Sequence, residues 1–305
     1  MTQFRTARAA DDDSLYEVWA RSFTASHIVP LYEQDPGRRE RTYVATDGDG
    51  VLAVVYWLPR DIRDASGAVR RVGCVSSVAT RPEARGRGLV KRLLALAADA
   101  MTADGCAWSL LFTGTPQVYA SSGWQVFDRP FVAGPPAAGG LLEDGWAAAP
   151  VGLDRWLDLA RLHDRYDERR PLTTVRSPRD WTERVPLWYA PPCEILLLRR
   201  HDAPMAYAVV DWSEGEVLEV ALGAEDAAVP LFHAVAGRAR TRGLPSLKLY
   251  APLDPAIRAA LPSLFDGWAA DGDPTGMARP ILADPAEVRT VVEDPRAVAW
   301  TADYF

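Results

Sequence analysis

The sequence predicts an α/β (α+β) protein made of two tandem lobes on one plan. Three observations carry this. A length of 305 residues holds about two domains at ~100–200 residues each. Hydrophobic residues at 48% and charged residues at 25% are the balance of a folded chain with material for a large core. The two halves then repeat one order while sharing little sequence: initial helix, hairpin, long helix, strand, short helix, late strand. The predicted division is 1–130 for the first lobe, 131–150 for a connection and 151–305 for the second lobe.

The elements follow in order. Residues 4–9 alternate as a short strand. Asp11, Asp12 and Asp13 precede an amphipathic stretch over 15–23, which puts an aspartate at the helix N-cap. Strands over 42–46 and 51–58 flank Asp47-Gly48-Asp49-Gly50, which is strong hairpin chemistry. A strand over 72–80 is closed by Arg81-Pro82. Leu89, Leu93, Leu96 or Ala97, and Ala100 or Met101 recur at helical spacing, and Gly105 stops that helix. Residues 106–112 read as a buried strand, 116–122 as a short helix ended by Gly123, and 124–127 as strand. Pro135, Pro136, Gly139 and Gly140 mark the connection. In the second half, 153–166, 227–240 and 255–261 are helical. Strands are expected over 194–198, 204–212, 217–222 and 246–250, with 277–282 and 298–305 as the last two.

Composition excludes several function classes. A net charge of −7 and a pI near 5.2 do not suit an electrostatic nucleic-acid binder. No apolar run approaches the ~18 residues of a membrane helix. Residues 1–13 mix arginines with aspartates and hold no apolar signal region, so the expected location is the cytoplasm. Cys74, Cys106 and Cys193 are too scattered for a disulfide framework or a zinc site. His27, His163, His201 and His233 lack metal-ligand spacing, so no metal is expected. The oligomeric state is open, a homo-oligomer included.

The stretch that carries chemistry is Arg85-Gly86-Arg87-Gly88-Leu89-Val90, set between a strand and a helix. Gly86 and Gly88 permit unusual dihedrals and close backbone approach. The first helical turn presents unpaired N–H groups and the positive end of the dipole, and Arg85 and Arg87 add charge. Together these make a pyrophosphate cradle. The dinucleotide fingerprint G-x-G-x-x-G fails, because position 91 is Lys91, and the Gly-Lys-Ser/Thr of a P-loop is absent.

This stretch resembles motif A of the GNAT superfamily of N-acetyltransferases, Arg/Gln-x-x-Gly-x-Gly/Ala, with Arg85 and Gly88 in place and Val90 departing from the small third residue. Arg-rich variants followed by Gly-Leu and a larger aliphatic residue look like the enhanced-intracellular-survival branch, which has tandem lobes. Val118-Tyr119-Ala120-Ser121-Ser122-Gly123-Trp124 resembles the superfamily's Phe/Ile-Tyr-x-x-x-Gly-Phe/Tyr segment. The resemblance is specific over 51–127 and architectural beyond.

The resemblance implies that each lobe has a mixed, mostly antiparallel central sheet flanked by helices. It implies acetyl-CoA as acetyl donor and an amine, expected to be cationic, as acceptor. Val78, Ala79 and Thr80 would hold the pantetheine arm, the N–H groups from Gly86 to Val90 the pyrophosphate, and Gly114 and Thr115 the cofactor's other side. The Ala79 N–H would face the oxyanion. Tyr119 would protonate the leaving thiolate, since a phenol of pKa ~10 is protonated at neutral pH. Trp19, Phe23 and the segment to Tyr32 would line the acceptor side. Residues 72–80 hold no carboxylate to act as base. The branch uses its terminal carboxylate, which makes Phe305 the candidate; a role as the end of the last strand is the other reading of 298–305. The second lobe carries Glu225 and Asp226 where a cradle would be, and two carboxylates repel a phosphate. It is therefore read as degenerate. The same carboxylates disfavour mycothiol synthase, whose glycine-rich motif would stand there. A non-catalytic acyl-CoA sensor is the rival from another class.

Overall fold

Among the described residues twelve strands join into one sheet, in the order β1-β2-β3-β4-β5-β12-β6-β11-β10-β9-β8-β7. A computed structural model describes residues 1–305 except Asp49 and Leu141. The sheet is mixed and mostly antiparallel, with helices on both faces, as the sequence predicts. Among the described residues its parallel pairs are β4–β5 and β10–β11, one in each half.

The first half supplies β1 (Gln3–Thr6), β2 (Thr42–Asp47), β3 (Gly50–Arg63), β4 (Val69–Thr80), β5 (Trp108–Phe112) and β6 (Gln125–Gly134). The β2–β3 hairpin turns where its sequence demands, with Asp47 opposite Gly50. Helix α1 (Asp12–Ala20) forms, but Asp11 does not cap it by side chain. Its carboxylate instead takes the Arg8 N–H at 2.7 Å and pairs with Arg5, which secures the preceding turn. A second helix, α2 (Ile28–Glu33), follows. Helix α3 (Leu89–Ala103) lays Leu89, Leu93, Leu94, Ala97 and Met101 on one face of β2–β4, while α1 and α2 cover the other. It ends as expected, with Gly105 left-handed at φ 76° and Cys106 N–H on Met101 O. The short helix α4 (Gln117–Ala120) carries Tyr119.

The second half runs β7 (Trp146–Val151), α5 (Trp156–Asp167), a π turn (Asp180–Arg184), α6 (Val185–Trp188), β8 (Cys193–Arg200), β9 (Ala203–Asp211), β10 (Glu216–Leu222), α7 (Ala228–Thr241), β11 (Leu247–Leu249), α8 (Pro255–Leu264), β12 (Ala269–Pro280) and α9 (Pro285–Val292). Strand β12 crosses into the first half. It pairs antiparallel with β5 on one side and β6 on the other, while β6 also pairs with β11. Each half therefore contributes a strand to the other's part of the sheet. Helix α9 follows β12 and packs Val288 and Val291 onto the first half's core.

Residues 298–305 do not form the expected last strand. Their backbone folds on itself instead: Asp303 N–H bonds Trp300 O and Tyr304 N–H bonds Thr301 O. Side chains fix the segment. Trp300 is buried and donates its indole N–H to Asp167 at 2.8 Å. Asp303 is buried and receives Arg176 at 2.7 Å. The alternating apolar pattern that suggests a strand here serves as a row of pegs.

Candidate active site

The site forms where β4 and β5 part. Their parallel pairing runs from Val72–Trp108 to Cys74–Leu110 and stops there. Gly73 keeps β4 close under α3, since a Cβ there would lie 2.6 Å from the Met101 sulfur. Beyond Cys74, β4 bulges against β3: Tyr56 faces Ser76 and Val54 faces Ala79, leaving one extra residue on β4. Ser77 takes a left-handed φ of 51°, a strained conformation for a non-glycine residue. The Trp19 indole N–H holds the Ser77 carbonyl at 2.7 Å.

A cavity of about 430 Å³ opens in this splay. Val78, Gly114, Thr115 and Tyr119 line it from the strand ends, and Phe23 lines it from the segment between α1 and α2. Tyr304 and Phe305 close it from the far end of the chain. The Tyr304 ring stacks on Phe112 at 4.2 Å, Arg184 donates to the Tyr304 carbonyl at 3.0 Å, and Arg129 lies 5.1 Å over its ring. Phe305 rests 5.8 Å from Phe112. The tail is thus tied at Trp300, Asp303 and Tyr304 before its last residue.

The structure brings together Val78, Gly114, Thr115, Tyr119, Phe23 and Phe305. It does not bring Trp19 or Ala79 to the cavity wall. Trp19 is 2% exposed and acts from behind, through Ser77. Arg81 N–H bonds Leu52 O at 2.8 Å, so ladder alternation turns the Ala79 N–H toward Val54. Thr80 continues that ladder opposite Ala53. Arg85, Gly86, Arg87 and Gly88 are exposed just past β4, and Leu89 and Val90 begin α3. Gly86 and Gly88 have φ of 74° and 69°, and a Cβ on either would meet nothing within 4 Å. The space over the helix entrance is open, and its first-turn N–H groups have no side-chain cap. That fits a pyrophosphate in contact with backbone.

Burial pushes the Tyr119 phenol up to about 12, and a hydrogen bond from Thr113 offsets this in part. His27 lines the cavity and packs 4.1 Å from Trp188; burial lowers its pKa, so its imidazole is neutral at neutral pH. Burial also lowers Arg184, to about 10, with the Arg60 charge acting in the same direction; it remains a cation at neutral pH. His27 lies in the segment up to Tyr32 expected on the acceptor side, whereas sequence reasoning missed Trp188, Arg184 and Tyr56 as cavity residues. The missing signal is spatial: α6 and the π turn reach the cavity only because the second half folds across β3 and β4.

In the second half β10 also bulges, at Leu218, after its parallel pair with β11. Where the first half is open, the second is filled by a polar cluster. Arg176 bonds Glu219 at 2.6 Å and Asp303 at 2.7 Å, and Tyr189 and Tyr207 donate to Glu219, all buried. The entrance of α7 carries Glu225 and Asp226, and Asp226 is engaged by Arg200.

Comparison with known proteins agrees with this geometry. Residues 3–127 match the model of the acetyltransferase (GNAT) domain family, in agreement with the resemblance read from the sequence. No curated protein sequence matches the chain. Among solved structures, a GCN5-related N-acetyltransferase from Kribbella flavida is 19% identical, with a TM-score of 0.70 over 92% of this chain and 71% of that one. A probable N-acyltransferase from Enterococcus faecalis is 15% identical, with a TM-score of 0.70 over 92% and 73%. Eis1 from Mycobacterium abscessus is 14% identical, with a TM-score of 0.64 over 92% and 74%. Likeness at these identities establishes a shared fold. Among the described residues no helix is long and apolar enough to cross a membrane, and no group of three or more His, Cys, Asp or Glu is placed to hold a metal.

Proposed function

We propose that the protein transfers an acetyl group from acetyl-CoA to a primary amine, in the first half of the chain. The observation that carries this is one cavity in the β4–β5 splay that brings a protonated phenol, a strained bulge and the end of the chain to one space, beside an open glycine-bearing helix entrance. The donor's pyrophosphate would lie on the N–H groups of Gly86 to Val90, and its thioester against Val78, Gly114 and Thr115. The Val78 N–H, which ladder alternation turns away from β3, is better placed for the developing oxyanion than that of Ala79.

The neutral amine attacks the thioester carbon, the C–N bond forms, and the C–S bond breaks. The amine loses one proton and the thiolate gains one. Tyr119 is the donor to sulfur. At a pKa near 12, complete transfer to a thiolate of ordinary pKa ~8.5 is uphill by about 5 kcal/mol. Tyr119 therefore acts first as a hydrogen-bond donor to the departing sulfur. The amine's proton goes to a carboxylate at Phe305, which requires that the chain end at that residue; intact mass of the purified protein checks this. Incubation with acetyl-CoA and primary amines should yield free CoA thiol and N-acetylated amine in equal amounts. Binding of acetyl-CoA with no amine-dependent thiol would replace this reading with a sensor.

A further inference from the structure

We infer that the acceptor is a monoamine with a flat apolar body, an arylalkylamine, and not a polycation. The inference rests on the acetyl-transfer reading above and on the charge of the cavity. Among the described residues lining it there is no aspartate or glutamate. Two carboxylates behind the wall are already engaged. Asp35 takes Arg41 and the Tyr56 hydroxyl, and Asp180 takes Arg60 and the Ser177 N–H and hydroxyl. The wall itself carries the buried guanidinium of Arg184, which already pairs with Asp180 at 3.6 Å, and a neutral imidazole, His27.

A polyamine or aminosugar brings several ammonium groups. One of them is neutralised to react. The others would be desolvated against aromatic rings and a guanidinium, because the one carboxylate of the acetyl-transfer reading, at Phe305, is given over to the proton of the reacting amine, and that is strongly unfavourable. A single amine on a ring meets the opposite conditions. Phe23, Tyr32, Phe112, Trp188, Tyr304 and Phe305 offer faces and edges for stacking. The same rings attract the one ammonium before it loses its proton. The donor's acetyl end shares the cavity of about 430 Å³, so the acceptor must be small.

The test is thiol release by the full chain at saturating acetyl-CoA, with 2-phenylethylamine and spermidine as acceptors and acetyl-CoA binding followed separately by calorimetry. The expected kcat/KM is at least tenfold higher for 2-phenylethylamine. A smaller ratio, or a preference for spermidine, overturns the inference and leaves the acetyl-transfer reading standing. Bound acetyl-CoA with thiol release from neither amine overturns both. Ile28→Asp places the missing charge in the wall and should shrink the ratio at least tenfold at unchanged acetyl-CoA affinity. An unchanged ratio in the folded variant also overturns the inference, and the wild-type ratio decides alone where that variant does not fold.

Discussion

At the scale of single residues the site is an arrangement of groups held in unusual states by their surroundings. Tyr119 is 8% exposed, and its phenol is pushed up to about 12, so it is protonated across the physiological range. Tyr119→Phe keeps the ring in its place beside the core and removes the donor to sulfur. Its kcat should fall by ~10²–10⁴ with acetyl-CoA affinity nearly intact, because the hydroxyl acts in the transition state. Single-turnover thiol release measures this, and a normal rate with chemistry limiting would return Tyr119 to packing. Trp19 is the opposite case: it touches no part of the cavity yet holds the strained Ser77 carbonyl at 2.7 Å. Trp19→Phe deletes that hydrogen bond and leaves most of the aromatic bulk. Loss of a buried partner costs about 1–3 kcal/mol, which should appear as a lower melting temperature together with a reduced kcat. Rescue of the melting temperature without rescue of kcat, by a stabilising change elsewhere, would identify a positioning role for Trp19. A kcat that recovers with stability would make it only a core residue.

At the scale of elements, the cradle is where sequence and structure correspond most closely. Gly86 and Gly88 are separated by one residue and followed by an amphipathic helix, and both prove left-handed over open space. Gly88→Ala has room for its methyl, so the strain of a left-handed φ dominates and costs about 1 kcal/mol. Gly88→Asp adds a negative charge at the helix entrance and should abolish acetyl-CoA binding in calorimetry. Equal affinity for the Asp and Ala variants would show that no phosphate sits there. The β4–β5 splay and its bulge were less legible. The sequence marks the strand over 72–80 correctly, but nothing local to Ser76 or Ser77 signals a left-handed residue. The tail was misjudged for a related reason. Residues 298–305 have the apolar content of a strand, while Trp300, Asp303 and Tyr304 each find a partner distant in sequence: Asp167, Arg176 and Phe112. Periodicity cannot report such partners. It also could not find α6, whose few residues carry no repeat, although α6 delivers Trp188 to the cavity.

For the whole molecule, the crossing of β6 and β12 and the buried cluster in the second half make the site depend on residues far from it. Burial, the largest influence, would raise the Glu219 carboxyl; the Arg176 charge and hydrogen bonds, with the His163 charge and the Tyr189 hydrogen bond, together reverse this and hold it below its ordinary range. A carboxyl lowered in the folded state gives stability above its unfolded pKa and loses it as pH falls through the folded value. Arg176→Met leaves Glu219 buried without its cation and costs about 3–5 kcal/mol. Acid unfolding followed by circular dichroism should then move to higher pH, and an unmoved midpoint would show the cluster to be inert. The strand crossing leads to a second expectation. Without residues from β12, both the inner edge of β5 and one edge of β6 lose their partners, and α9 no longer covers the core below α1. Unpaired apolar edges of that kind aggregate. Residues 1–140 made alone should therefore be insoluble or unfolded. Co-expression with residues 141–305 should restore a soluble pair, because among the described residues no strand of the sheet lies between β6 and β7 and the pairing surfaces remain whole. Size-exclusion chromatography with calorimetry on the co-expressed halves reads both results. A monomeric 1–140 fragment that melts cooperatively and binds acetyl-CoA would mean that β12 only decorates a self-sufficient first half. Binding that returns only in the co-expressed pair would make the crossing part of the site's foundation, since β12 is the strand that flanks β5 where the splay begins.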